Sequence, residues 1–143
     1  MSKRFEFLEH TADAYVAAYG ATLEEAFENA ALATFEVMTD TKKIAQKIED
    51  RVKVEASDEQ ALLYTWLEQL LINFETKGNL YSRFKISKIE QTKKGFMFIA
   101  RMFGESFNPE RHPQKVGIKA ITYHRMEIDR KPGMVSVKFI LDI

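Results

Sequence analysis

SDEQALLYTWLEQLLINFETKG, residues 57–78, has the spacing of an amphipathic helix, and the rest of the chain is interpreted around it. Ser57 is placed to cap this helix, Gln60 follows three residues later, and Gly78 marks the end. Between them runs a wide apolar stripe: Leu62, Leu63, Trp66, Leu67, Leu70, Leu71 and Phe74. A Trp and Leu stripe is far more often core than a cofactor site. We therefore expect the most buried helix here.

A second helix is predicted from TLEEAFENAALATFEVM, residues 22–38. It starts with a capping box, in which Thr22 is the N-cap and Glu25 follows three residues later. The side chains on its predicted inner face recur at helical intervals: Leu23, Ala26, Phe27, Ala30, Thr34, Val37 and Met38. This spacing predicts a helix that is amphipathic with one buried face.

The remaining segments alternate between apolar and polar residues, which is typical of strands. Strands are predicted at residues 4–9, 13–19, 50–56, 82–91, 95–103, 118–129 and 134–142, with turns at TKKG and RKPG. The order β-β-α-β-α followed by two hairpins predicts an α+β two-layer domain over residues 1–143. We expect a mixed or mostly antiparallel sheet of about six or seven strands, with both helices packed on one face.

The composition limits the chemistry. The 143 residues include no Cys, which excludes disulfides, thiolate metal sites and a Cys nucleophile, and a reduced compartment fits best. The N-terminus has no apolar signal region, and no apolar run approaches the roughly 20 residues that span a bilayer. We therefore expect a soluble, cytoplasmic protein with no membrane partner.

The charges are balanced overall but unevenly placed. A formal net charge of zero argues against a domain that holds nucleic acid by bulk electrostatics. Residues 77–101 nevertheless carry one acidic residue, Glu90, and seven basic residues: Lys77, Arg83, Lys85, Lys88, Lys93, Lys94 and Arg101. We interpret them as a solvated hairpin whose lysines protect an edge strand. The alternative is a docking patch for RNA or an acidic partner.

Several polar residues are not explained by local structure. They lie in EHTAD at 9–13, in the non-periodic loop predicted from Gly104 to Gly117, in GIKAITYH at 117–124 and in the terminal LDI. His10, His112 and His124 could each partner a Ser or Thr nucleophile, but no nucleophile elbow supports a pairing. Glu9 and Asp13 could act as an acid and base pair.

A hard-metal site is the third chemistry to consider. Asp142 and the α-carboxylate of Ile143 lie at the end of the last predicted strand, and such a pair needs a cation to offset its repulsion. Calcium and magnesium prefer this all-oxygen ligation, and Asp13 could supply a third carboxylate if the HTAD turn abuts that strand end. From spacing alone, the simpler alternative is favoured, in which Asp13 caps a turn and Asp142 is frayed.

The same residues carry a resemblance to a known family. Six pieces occur in the order FEFLEHTAD, TLEEAFENAA, LLYTWLEQLL, GE, GIKAITYH and the terminal LDI, over essentially the whole chain. In this order they resemble the archease family. The resemblance implies a cytoplasmic accessory protein of the RtcB-type tRNA-splicing RNA ligase, which promotes the guanylylation and turnover of the ligase and broadens its nucleotide use. The expected contact with tRNA is indirect, through the ligase, and the sequence leaves open whether the protein also touches tRNA itself. A modulator of tRNA methyltransferase specificity is the related alternative.

The resemblance also implies a site. It places the metal ligands at Asp13, Asp142 and Ile143 and the lysine required for ligase activation at Lys119. The implied cofactor is a divalent metal, with calcium expected first and magnesium or manganese as alternatives. His10 and His124 are interpreted as core histidines or as residues that orient the site from a second shell. The chain departs from the family pattern near Met134, where a Trp is frequent.

The sequence contains no phosphate-binding loop of the GxxxxGK[ST] type and no Gly-rich nucleotide cradle. Phosphoryl transfer would therefore remain the work of the ligase, and we expect no enzyme activity of the chain alone. A free-standing metal-dependent hydrolase is the competing class, and turnover of nucleotides or phosphoesters by the purified protein would favour it.

Overall fold

The structure is a computed structural model, and it describes residues 3–8 and 13–143. Its two α-helices are α1 (Leu23–Met38) and α2 (Glu59–Lys77), and a single 3-10 turn covers Thr41–Lys43. In the described ranges there are eight strands: β1 (Phe5–Leu8), β2 (Ala14–Gly20), β3 (Ile48–Ala56), β4 (Asn79–Ile86), β5 (Glu90–Thr92), β6 (Gly95–Ser106), β7 (Ala120–Lys131) and β8 (Met134–Asp142).

The strands form two antiparallel sheets. One sheet has the order β1-β2-β8-β7 and is called the terminal sheet here; the other has the order β3-β6-β4, with β5 also paired to β6, and is called the central sheet. The predicted α+β class, antiparallel pairing and two helices are confirmed. The strand count is slightly higher than predicted, and the strands are divided between two sheets, because pairing over long sequence distances, such as β2 with β8, leaves no local signal.

The predicted strand over residues 82–91 is interrupted after Ile86. The backbone N–H of Ile86 donates to Glu28 Oε2 at 2.8 Å, and that of Ile89 donates to Glu24 Oε2 at 2.8 Å. Both glutamates belong to α1, so this helix satisfies the N–H of Ile86 on the free edge of β4 and that of Ile89 beyond the interruption. Burial raises the pKa of Glu28, opposed by the bond from Ile86. The short strand β5 follows this interruption.

Each helix contacts both sheets. Helix α1 contacts β2 and β8 of the terminal sheet and β4 of the central sheet, whereas α2 contacts β7 and β3. Twelve of the 16 residues of α1 are buried, against seven of the 19 in α2. The predictions that α2 is the most buried helix, and that α1 buries one face, are therefore wrong. The small side chains of α1, Ala26, Ala30, Ala31 and Ala33, let strands approach it on several sides.

Trp66 connects α2 to the rest of the core. It is fully buried, and its indole Nε1 donates to the backbone oxygen of Phe27 in α1 at 3.0 Å. Its ring meets Phe98 and Phe84 of the central sheet edge to face, with centroids 5.5 and 6.1 Å away. The predicted role of the Trp and Leu stripe as core is confirmed.

The residues that cap the two helices are those predicted from the sequence, with one exception. Thr22 Oγ1 accepts the backbone N–H of Glu25 at 3.1 Å, and Gly78 ends α2 in the left-handed conformation with φ 70°. Asp58, rather than the predicted Ser57, caps α2, since its Oδ1 accepts the N–H of Ala61 at 2.8 Å. Neither helix in the described ranges has the length and hydropathy needed to cross a bilayer.

Candidate functional site

Three separate segments meet at one end of the terminal sheet. Ala14, the first residue of β2, pairs with Leu141 of β8, so Asp13 and Asp142 each lie one residue further towards this end. On the other side of β8, Ala120 pairs with Asp142, and the backbone N–H of Lys119 donates to the oxygen of Asp142 at 2.6 Å. The register thus gathers Asp13, Lys119, Asp142 and Ile143.

The end of β8 is held in the sheet. Phe139, Ile140 and Leu141 are buried, and Asp142 is still paired with Ala120. The side chain of Ile143 packs partly against the hydrophobic core. The simpler alternative, in which Asp142 is frayed, is therefore wrong. Asp142 itself is exposed, and Asp13 is half-buried.

The donor atoms at this end suit a hard cation. If the β2–β8 pairing extends by one residue, Asp13 lies directly opposite Asp142, and directly paired residues project from the same face. Within the described residues, no group of three or more His, Asp or Glu side chains is placed to hold a metal ion. The two carboxylates thus fit a metal only with a further donor, and the α-carboxylate of Ile143 is the nearest along the chain. All three groups offer oxygen, which calcium and magnesium prefer.

The structure separates the predicted histidines. His10, like Glu9, lies outside the described residues. His124 is exposed, so it is not a core histidine, and its backbone N–H donates to Thr122 Oγ1 at 3.0 Å. It lies four residues beyond Ala120, roughly 13 Å along an extended strand. That His10 or His124 orients the site stays a prediction.

An irregular part of β7 contains further candidate residues that were not predicted from the sequence. The β7–β8 register shifts between Thr122 and Glu127, and Arg125 adopts a positive φ of 59°. The Arg125 guanidinium lies 5.5 Å from the centre of the Tyr15 ring. Tyr123, which is 51% exposed, stacks on Tyr64 of α2 with centroids 4.4 Å apart. Only the motif GIKAITYH pointed to this region.

Lys119 ends a segment, residues 107–119, that is tied to the body of the protein. This segment lies later in the chain than the predicted loop, because β6 continues to Ser106 and β7 begins only at Ala120. The backbone N–H of Lys115 donates to the backbone oxygen of Met38 at 3.0 Å, and Lys115 Nζ lies 2.6 Å from Glu36 Oε2. Burial opposes ionisation of Glu36, but bonds from Lys115 and Thr41 lower its pKa. These contacts position the approach to Lys119.

A buried cluster around Glu105 holds the start of this segment. Glu105 Oε2 accepts the backbone N–H of Ala45 at 2.8 Å and Arg111 Nη2 at 2.7 Å, and it lies 2.9 Å from His112 Nε2. Burial would raise the pKa of Glu105, yet the bonds from Ala45 and His112 and the charge of Arg111 lower it.

His112 is structural in this cluster. The ring is fully buried, and its Nδ1 accepts the backbone N–H of Asn108 at 2.9 Å, which leaves Nε2 to donate to Glu105. Both ring nitrogens are therefore occupied, so His112 does not activate a hydroxyl nucleophile. The sequence signal was limited to a His between two prolines in a non-periodic stretch.

Residues 5–143 match the model of the Archease protein family (MTH1598/TM1083). The chain belongs to the archease family. The archease of Sulfolobus acidocaldarius is 46% identical over 98% of this chain and 99% of its own, and that of Pyrococcus furiosus is 45% identical over 99% of both. The recognition from sequence motifs is confirmed.

Solved structures of the archease family agree with the fold. The solution structure of Methanobacterium thermoautotrophicum protein 1598 has a TM-score of 0.82 and 41% identity, and covers 98% of this chain and 99% of its own. A crystal structure from Thermotoga maritima, described as an archease and possible chaperone, has a TM-score of 0.61 over 96% of both chains. At 19% identity, this second likeness concerns the fold alone.

Proposed function

We propose that this archease is a cytoplasmic accessory protein of an RtcB-type tRNA-splicing RNA ligase and promotes the guanylylation and multiple turnover of that enzyme. Family membership supports a role alongside a protein partner. The observation that carries the proposal further is the register of the terminal sheet, which brings two aspartates and a lysine from three segments to one end of it.

In this proposal, Asp13, Asp142 and the α-carboxylate of Ile143 hold one divalent cation, with calcium expected first. The cation would supply a positive centre for phosphate oxygens when the end of the sheet docks beside the ligase active site. The chain contributes the carboxylates, and the hydrogen bond from Lys119 to Asp142 keeps the two neighbouring strand ends in register.

Lys119 is assigned the contact with the partner's substrate. Its side chain is exposed, and its backbone is fixed by Asp142 and by the tied segment before it. An ammonium group held at this edge can bind a phosphate oxygen of the nucleotide triphosphate, where charge develops during guanylyl transfer. This contact can also favour nucleotides other than the preferred one, since it addresses the phosphates and not the base.

The proposal is tested by comparing two assays of the cognate ligase. We expect substoichiometric amounts of the archease to increase multiple-turnover ligation while changing little in the first turnover of pre-guanylylated ligase, because the assisted step is the recharging of the enzyme. Lys119→Ala should lose this stimulation. Equal stimulation of both reactions, or nucleotide turnover by the archease alone, would contradict the accessory role.

A further inference from the structure

The outer surface of the central sheet faces solvent, since α1 and α2 cover the other side. Alternate residues of β3, β6 and β4 point outward, and they share a basic character. We call this surface the basic face; its charged and aromatic members are Arg51, Lys53, Arg83, Lys85, Arg101, Phe103, Glu49 and Glu55.

Three of these cations lie side by side across the sheet. Arg101 of β6 is directly opposite Arg51 of β3 on one side and Lys85 of β4 on the other. Like charges in directly opposite positions destabilise a sheet, so this row needs anions near it. Glu49 supplies one, because its carboxylate lies 2.9 Å from Arg51 Nε and 3.0 Å from Arg101 Nε.

The available carboxylates do not balance the face. Hydrogen bonds from Arg101 and Arg51 lower the pKa of Glu49 to about 2, so this group is ionised at neutral pH. Glu55 is paired with Lys53 at 2.9 Å. Glu90 of β5, directly opposite Met97 of β6, adds a third carboxylate on this side of the sheet. Five cations against three carboxylates still leave an excess of positive charge, although the chain as a whole has a formal net charge of zero. The basic face is thus complementary to an anionic partner.

An aromatic ring lies within the same face. Phe103 follows Arg101 by two positions on β6 and is directly opposite Arg83. The guanidinium of Arg83 is 5.3 Å from the ring centre, and that of Arg101 is 5.1 Å from it. Ile99, two positions before Arg101, is 46% exposed. On β6, Arg101 therefore lies between an apolar side chain, Ile99, and a planar one, Phe103.

We propose that the basic face binds single-stranded RNA. The row of Arg51, Arg101 and Lys85 neutralises phosphates, while the Arg83 guanidinium, held over the Phe103 ring, provides a planar surface for a base. A carboxylate-rich protein segment would match the charge but would not use these planar groups. The face measures roughly 10 Å across three strands and roughly 20 Å along β3, which is shorter than the about 16 base pairs that a domain contacting successive grooves of duplex RNA spans.

This inference goes beyond the proposed function, in which RNA is reached only through the ligase. It also revises the interpretation of residues 77–101 as a merely solvated hairpin. Two arginines of that range, Arg83 and Arg101, join Arg51 from a distant strand in one face.

The experiment is fluorescence anisotropy of a labelled oligouridylate of about ten nucleotides with the full-length protein and no ligase. We expect binding at about 50 mM salt that weakens roughly 20-fold by about 200 mM, the loss expected for three neutralised phosphates on a single strand. Absence of binding at the lower salt concentration would overturn the proposal.

Matched variants locate the binding surface. Arg83→Gln with Lys85→Gln should weaken binding at least tenfold at the lower salt concentration, whereas Lys42→Gln with Lys43→Gln, the same charge change at the exposed 3-10 turn, should leave it unchanged. Equal effects of the two pairs would overturn the assignment. Melting curves of each variant establish that it is folded.

Two further variants and two competitors separate this proposal from general charge attraction. Glu49→Gln should tighten binding severalfold because it frees both neighbouring guanidiniums, and Phe103→Leu should weaken it without changing the salt slope. Polyglutamate or duplex RNA that competes as well as the oligouridylate would overturn the assignment to single-stranded RNA. The ligation assay tests the proposed function separately, since no ligase is present here.

Discussion

Asp13, Asp142 and Ile143 can be tested individually because each contributes a different carboxylate to the proposed cation site. Asp13→Asn and Asp142→Asn remove charge and a hard oxygen donor with little change of shape, and a short C-terminal extension removes the terminal charge at Ile143. A cation that binds only the folded state stabilises it by about 3 kcal/mol at a hundredfold excess over Kd. We expect a calcium-dependent rise in Tm for the wild type that these three variants lack.

Lys119→Ala is the matched control for that titration. It should keep the metal response and lose ligase activation, because Lys119 is assigned to the partner's substrate and not to the cation. The measurements are calcium and magnesium thermal titrations of all variants beside the ligation assay. If the C-terminal extension leaves both responses unchanged, the α-carboxylate of Ile143 is not a ligand.

The lowered pKa of Glu105 predicts how the stability of the protein depends on pH. Its pKa is lowered in the folded protein below the ordinary value of 4.5, so its ionised form contributes stability above that value, and this contribution is lost as pH falls through the folded pKa. Glu105→Gln should lower the free energy of unfolding at pH 7 by about 2 kcal/mol. The difference between variant and wild type should shrink as the pH is lowered below 4.5 in urea titrations. A constant difference across this range would contradict the prediction.

The candidate residues differ in how far the sequence could reveal them. Asp13 and Asp142 could be singled out as candidates because short motifs resemble a family, and their metal role stays a prediction. The role of Glu105 could not be predicted from the sequence. One of its partners, Ala45, is 60 residues away in the chain, and another, His112, lies in a stretch with no periodicity. A buried polar cluster of this kind is defined by packing, and residue spacing alone does not indicate it.

At the scale of elements, both helices were predictable because their caps and apolar stripes are local features. The break between β4 and β5 was not, and the acceptors of the N–H groups on either side of it, Glu28 and Glu24, belong to a distant helix. The cap of α2 was misplaced by one residue because Ser57 and Asp58 are both good capping residues, and the backbone conformation selects between them.

The two capping candidates of α2 give a direct comparison. Asp58→Ala should lower the free energy of unfolding by about 1 kcal/mol, because it removes the acceptor for the N–H of Ala61. Ser57→Ala should change it by less than about 0.5 kcal/mol, as is usual for exposed residues without a specific partner. Urea denaturation of both variants measures the difference. A larger loss for Ser57→Ala would place the cap where the sequence analysis put it.

At the scale of the whole molecule, the division into two sheets could not be predicted. Strand alternation identifies strands and their buried faces, but the order β1-β2-β8-β7 joins the first and last segments of the chain, and no turn residue specifies that pairing. The basic face could not be predicted for the same reason. The register of three strands is what makes neighbours of Arg51, Lys85 and Arg101. The two helices connect these sheets, because each contacts both.

This connection predicts that the two sheets unfold together. Trp66, the single Trp, packs against the central sheet and bonds to α1, which itself packs on β2 and β8 of the terminal sheet. Urea transitions followed by Trp fluorescence and by far-UV circular dichroism should therefore share one midpoint. Val137→Ala, in the buried face of β8, should lower both midpoints equally, with a loss of about 2 kcal/mol. If Val137→Ala shifts the dichroism transition while the fluorescence of Trp66 keeps its wild-type midpoint, the sheets are independent, and the helices do not couple them.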